Sequence, residues 1–165
     1  NGGVALVECV KRTQGLMVAA GNPLGIAKIT DLAKQGLRYA NRQKGAGTRV
    51  LLDYLLKQSG ISSRDFLGYE REEQTHTAVA AQVAAGSADC GMGILSAARM
   101  YGLDFIPLWE ESYDLLVSLA AMETPQVRAF LRVLSGDGFL RRLDALGGYS
   151  YDKPGRVKKL WPRRD

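Results

Sequence analysis

The chain has 165 residues, 46% of them apolar and 24% charged, and 22 Lys and Arg against 17 Asp and Glu leave a formal net charge of +5. That length suits one domain, or two small lobes sharing a sheet-and-helix core, and the composition is that of an ordinary globular protein. No apolar run approaches the ~20 residues that cross a bilayer, no basic segment followed by an apolar core marks a signal peptide, and a single histidine, His76, excludes a His-based metal cluster.

The opening Asn1-Gly2-Gly3 lacks a Met and soon enters a strand-like run, so it reads as an internal cut. Val4 to Val10 predicts a strand or a segment crossing a surface, and Leu16 to Ala20 a second, buried strand. Gly21-Asn22-Pro23-Leu24-Gly25 is turn chemistry. Thr30 is placed to cap a short helix over 31–35, with Gly36 as its stop. Leu37 to Ala40 predicts the next strand, and a helix follows over 48–59, its apolar face made by Leu51, Leu52, Leu55 and Leu56.

Phe66 to Tyr69 predicts another strand, and the polar run Glu70 to Thr77 then leads into an Ala/Val helix over 77–85, with Thr75 as its cap. Asp89 to Ile94 reads as a short strand bearing Gly91 and Gly93, with a helix over 95–101 behind it. Phe105–Leu108 and Leu115–Leu119 predict two further strands. Thr124 with Pro125 at the first helical position starts a helix to Leu134, and Asp137 starts another, closed by Gly147 and Gly148. Strands alternating with helices predict an α/β fold with a parallel or mixed sheet.

Much of the positive excess lies in Arg156, Lys158, Lys159, Arg163 and Arg164, which read as a solvated end; direct nucleic-acid binding is not expected. Cys9 and Cys90 lie far apart without a CxxC partner, which suits reduced packing thiols, leaves a disulfide as the alternative and speaks against zinc.

The chemistry concentrates in Asn41-Arg42-Gln43-Lys44-Gly45-Ala46-Gly47-Thr48-Arg49, where a strand ends, a Gly-bearing loop turns and a helix begins. Unpaired first-turn amides at the positive end of the helix dipole favour an anion, and Arg42 and Arg49 add planar cationic donors. The loop is neither a Walker A nor a dinucleotide fingerprint, because Lys44 precedes the glycines and no third glycine follows. Two more loops have the same strand-to-helix character, Glu72–His76 and Gly91–Ile94, and ligands of α/β sheets sit beyond such strand ends.

From Leu16 to Leu119 the order of parts resembles the second half of a type 2 periplasmic-binding-protein fold, in its molybdate/tungstate-binding branch. The residues that carry the likeness are Leu16–Ala20 with Asn22-Pro23, Ile29–Ala33, the Leu37–Thr48 strand and loop, Val83-Ala84-Ala85-Gly86-Ser87-Ala88-Asp89-Cys90-Gly91-Met92-Gly93, and the return strand Tyr113–Leu119. Asn41–Arg49 and Tyr69–His76 are most similar to the form fused to helix-turn-helix regulators or molybdopterin-biosynthesis proteins.

The resemblance implies a mixed sheet flanked by helices, one complete lobe with hinge strands and a partial second lobe. The expected divisions are 1–36, hinge and partial first lobe; 37–113, ligand-binding lobe; 114–150, return hinge strand and C-terminal helices; and 151–165, basic tail. It implies amide donors at Ala46, Gly47 and His76, and a tyrosine hydroxyl at the position that Ile94 holds, which Ile94 cannot replace. Arg42, Thr48, Arg49, Thr75 or His76 are the candidate substitutes, with Gly45 and Gly93 in the same loops. The family's other half-site, on serine-bearing loops, would precede Asn1.

A tetrahedral oxyanion bears only acceptors, and amides, hydroxyls and Arg forks are its natural partners. Glu70, Glu72 and Glu73 oppose an anion if they face the cleft, which keeps a pterin-like or other organic ligand open. Catalysis is not expected. Cys90, Ser96 and Ser118 stand in no nucleophile elbow, and Glu72 and Glu73 alternate across an extended chain. The expectation is a non-enzymatic binding or sensor domain for a small anion such as molybdate or tungstate, without a cofactor or metal. A fused or neighbouring DNA-binding or molybdopterin-biosynthesis domain is the expected partner, and the cytoplasm the expected compartment, with a periplasmic or other extracytoplasmic one the alternative if a signal peptide was removed.

Overall fold

Val4–Val18 forms one 15-residue strand, β1, in the computed structural model, which describes residues 2–162. The chain divides into two compact units, Thr13–Trp109 on the one hand and Asn1–Arg12 with Glu110–Asp165 on the other. The two apolar runs expected as separate strands are thus one strand. Its polar middle, which reads locally as a break, is satisfied by neighbours: Lys11 and Arg12 pair along the backbone with Ser150 and Tyr149, and the Arg12 guanidinium binds Glu111.

In the unit of Thr13–Trp109, β1 is followed by a 3-10 turn at Ile29–Ala33, β2 (Tyr39–Arg42), α1 (Gly47–Gln58), β3 (Glu72–Glu73), α2 (His76–Ala84), β4 (Cys90–Ile94), α3 (Leu95–Met100) and the start of β5 (Asp104–Ser118). The strand order is β3-β2-β4-β1-β5. β2 is parallel to β3 and to β4, while β1 runs antiparallel to β4, so the sheet is mixed.

Period-two alternation distributes this sheet's side chains between two helical layers. Leu16, Val18, Tyr39, Cys90 and Met92 face Leu52 and Leu56 of α1, whereas Met17 and Ala40 face Val79, Ala80 and Val83 of α2 and Ala97 and Ala98 of α3. On the α2 side β4 offers glycines. A Cβ on Gly91 would lie 2.3 Å from Val79 Cγ1, so this glycine lets β4 and α2 approach closely, and one on Gly93 would lie 2.5 Å from Met17 Cε, so that glycine leaves room for the Met17 side chain of β1.

Two expected elements in this unit move. Phe66–Tyr69 makes only an isolated bridge, Arg38 with Leu67, because Gly68 turns at φ +93° with its Cα against the Tyr39 carbonyl. The strand is instead Glu72–Glu73, in register with Asn41 and Arg42, in a stretch whose polarity had suggested a loop. The cap of the short helix is also not Thr30: the Asp31 carboxylate accepts from the amides of Ala27 and Lys28.

In the other unit, β5 continues through Ser118 and is followed by α4 (Leu119–Met122), α5 (Pro125–Leu134), α6 (Asp137–Leu146), β6 (Tyr149–Ser150) and β7 (Val157–Trp161). Two strands were expected where β5 is continuous. Its polar junction is stabilised by Lys11–Glu110 and Arg12–Glu111 ion pairs. Cys9, Val10, Leu134 and Leu143 form its small core. The basic tail, expected as a solvated end, contributes β7, which pairs antiparallel with Val4–Val7; Arg156 binds Glu8 and Lys158 binds Asp114. Arg163 and Arg164 lie outside the described residues. Cys9 and Cys90 are buried, free thiols.

Candidate functional site

Three parallel strands, β3, β2 and β4, end side by side, and each hands over to a helix: β2 to α1, β3 to α2, β4 to α3. Helix N-termini therefore collect at one edge of the sheet, where backbone N–H groups outnumber acceptors.

The loop between β2 and α1 is closed by the Ala46 amide donating to the Gln43 carbonyl at 3.2 Å, with Gly45 at φ +86°. That left-handed backbone is why a glycine stands there. Ala46 occupies the N-cap position and has no side-chain oxygen to give, while the amides of Arg49 and Val50 both turn to its carbonyl. The amides of Gly47 and Thr48 are left at the tip of a 12-residue helix without a side-chain cap. No heavy atom outside its chain neighbours lies within 4 Å of where a Gly47 Cβ would be, so this tip is open.

α2 begins differently. Thr75 accepts from the Ala78 amide at 3.0 Å and shares a hydrogen bond with the Thr77 hydroxyl at 2.9 Å. Its hydroxyl serves as the expected cap, and the first amides, His76 and Thr77, remain at the helix tip. The His76 ring is half-buried, its Nδ1 3.6 Å from where a Cβ on Gly93 would stand. Ile94 ends β4 at the N-cap of the six-residue α3 and supplies no hydroxyl or other polar side-chain group there.

The two arginines do different work. Arg42, half-buried at the end of β2, donates from a terminal nitrogen to the Gln74 carbonyl at 3.0 Å, which ties β2 to the residue preceding the α2 cap. Arg49 does not face solvent: it is 3% exposed, and Thr48 is equally buried. The Arg49 guanidinium lies 3.9 Å from the centre of the Tyr69 ring. One terminal nitrogen donates to the Arg42 carbonyl at 3.2 Å and to Glu72 at 3.3 Å, and Nε is 3.5 Å from Asp53. Tyr69 in turn donates to Asp53 at 2.7 Å, and its carbonyl accepts from the Asn41 side chain at 2.8 Å. Burial pushes the Tyr69 phenol above its ordinary value, and the bond to Asp53 pushes it the same way.

Of the residues singled out in the sequence, the structure thus gathers Arg42, Gly45, Ala46, Gly47, Thr75, His76, Gly93 and Ile94 around the strand ends. It turns the side chains of Thr48 and Arg49 inward, leaving Thr48 its backbone amide as a donor. Glu72, feared as a repellent charge, is held by Arg49. Tyr69 and Gln74 were not anticipated, because their partners Arg49 and Arg42 lie far away in the sequence. Asp53, one helical turn after Arg49 on α1, is the partner that helical spacing offers Arg49. Among the described residues no group of three His, Cys, Asp or Glu side chains is arranged to hold a metal ion.

Comparison with known proteins places these features. The chain is 38% identical over 152 residues to the uncharacterized protein YvgK of Bacillus subtilis (strain 168), covering 92% of this chain but 49% of YvgK, so it spans about half the length of that relative. The sulfate-binding protein SubI from Mycobacterium tuberculosis H37Rv superposes with a TM-score of 0.62 at 15% identity, over 87% of this chain and 57% of SubI. The substrate-binding domain of a putative molybdenum ABC transporter from Clostridium difficile superposes with a TM-score of 0.57 at 17% identity, over 90% and 67% of the two chains. A PBP superfamily domain model matches residues 1–135, and the chain belongs to that superfamily, with a type 2 periplasmic-binding-protein-like fold.

Proposed function

We propose that this domain binds a small tetrahedral oxyanion, of the molybdate, tungstate or sulfate class, without catalysing a reaction on it. The observation that carries the reading is the side-by-side ending of β2 and β3 in the tips of α1 and α2, where the Gly47, Thr48, His76 and Thr77 amides stand at positive dipole ends beside Arg42. Such an anion offers only acceptors, and this edge offers donors. Two structural neighbours, a sulfate-binding protein and the substrate-binding domain of a putative molybdenum transporter, support the same chemistry. In a longer chain of the YvgK kind, ligand-dependent closure is the signal that a fused regulatory or biosynthetic domain would receive.

The test is amide-resolved NMR of this chain titrated with sodium molybdate, sulfate and phosphate against sodium chloride at matched ionic strength, which reads weak binding directly. Saturable shifts confined to Gly47, Thr48, His76 and Thr77, and reduced by Arg42→Ala with the fold unchanged, are expected. Shifts no larger than those with chloride for all three anions would overturn the oxyanion reading and direct the search to an organic ligand.

A further inference from the structure

Arg49 has the residue type of an anion ligand but not the placement. It is 3% exposed, and its guanidinium is taken up by the Tyr69 ring, Glu72, Asp53 and the Arg42 carbonyl. We propose that Arg49 is a positioning residue for the oxyanion site: it never touches the ligand, but it fixes the α1 tip to the β2–β3 pair and cancels the carboxylates that would otherwise repel an anion. The inference rests on the oxyanion reading and adds to it the residue that makes this edge of the sheet usable.

The geometry has two parts. The first is mechanical. Arg49 sits in the first turn of α1, and one of its nitrogens donates at once to the last residue of β2 and to Glu72 of β3. Since β3 leads within two residues to the start of α2, the same contact ties together the amides of both helix tips. Arg42, by reaching the Gln74 carbonyl, closes a second tie across the same gap. A planar fork that is stacked on a ring, bonded from one terminal nitrogen to two acceptors and ion-paired with Asp53 has little rotamer freedom left to lose.

The second part is electrostatic. Glu72 and Asp53 both lie on the strand or helix that borders the site, and their charges would oppose an anion at the α1 tip. Arg49 stands 3.3 Å from one and 3.5 Å from the other. Burial opposes its charge, and the Tyr69, Asp53 and Glu72 partners together outweigh burial and favour the protonated guanidinium. Lysine could carry the charge but not the ring stacking and multiple bonds.

The test uses this chain with sodium molybdate and sodium sulfate, read by amide shifts at constant ionic strength. Arg49→Met is expected to weaken binding by about tenfold, by analogy with the loss that follows removal of an outer-shell partner at a metal site. The double variant Arg49→Met/Glu72→Gln should recover part of that loss, because the repelling charge goes with its partner, whereas a purely structural role would leave the double variant as weak as the single one. Arg49→Lys, which keeps the charge and the fold, should fall between. Parent-like affinity in Arg49→Met, or no recovery in the double variant, overturns the inference while leaving the oxyanion reading intact. If Arg49→Met fails to fold, Arg49→Lys decides alone, and parent-like affinity there overturns the inference. Failure of the parent chain to bind either anion overturns both.

Discussion

The Arg49 guanidinium stacks on Tyr69, its Cζ 3.9 Å from the ring centre, while the Tyr69 hydroxyl donates to Asp53 one helical turn further along α1. Cation and ring thus join the first turn of a helix to the segment that precedes β3. Tyr69→Leu removes the stacking surface and the Asp53 bond together. It is expected to cost about 1–3 kcal/mol, combining a desolvated cation–π contact with a hydrogen bond to a charged group. Urea denaturation measures this, and Tyr69→Phe should lose only the smaller, hydrogen-bonded share.

Tyr39 is 1% exposed, and its hydroxyl accepts from the Met92 amide at 3.1 Å. Burial holds its phenol far above the ordinary value, so it stays neutral at all working pH. Tyr39→Phe leaves that buried amide without its acceptor and should destabilise the chain by about 1–3 kcal/mol. Amide hydrogen exchange at Met92 should accelerate along with the loss of global stability.

Gly91 faces Val79 so closely that an added Cβ would stand 2.3 Å from Cγ1 and 2.7 Å from the Ala40 carbonyl oxygen. Gly91→Ala should therefore destabilise by about 1–3 kcal/mol through overpacking. A thermal melt of Gly91→Ala beside Gly91→Ala/Val79→Ala separates the causes. If the side-chain clash dominates, the second change restores part of the loss; if the backbone contact dominates, it does not.

The Asp89 carboxyl is held below its ordinary value, first by the side-chain hydrogen bond from Arg38 and then, against the opposing effect of burial, by the Arg38 amide. Asp31 and Glu8 are lowered too, chiefly by the backbone amides of Ala27 and Lys153. A depressed folded-state value means stability that is present above the ordinary carboxylate range and lost as pH falls through the folded values. Stability should therefore be flat towards neutral pH and fall once the pH drops below about 4.5. Asp89→Asn should flatten that slope while lowering stability near pH 7. Denaturant midpoints across pH 3–7 check both.

Much of this protein was legible one segment at a time. The Thr75 cap, the Thr124-Pro125 helix start and the helix ending before Gly60 are local signals, decided by backbone donors and side chains within four residues of one another. So is the loop at Gly45, whose left-handed backbone requires glycine. The PBP-like order of parts followed from those elements and the two matching runs. Tertiary structure decided what depended on distant partners. Lys11-Arg12 and Glu110-Glu111 look like strand breaks until each meets the other across neighbouring strands. Glu72–Glu73 looks like a loop until Asn41 and Arg42 pair with it. Arg49, solvent-facing by its position in a first turn, becomes buried because Tyr69, twenty residues on, offers a ring and Glu72 a charge. Local patterns set which backbone groups need partners; only the folded arrangement decides which side chains remain to meet a ligand.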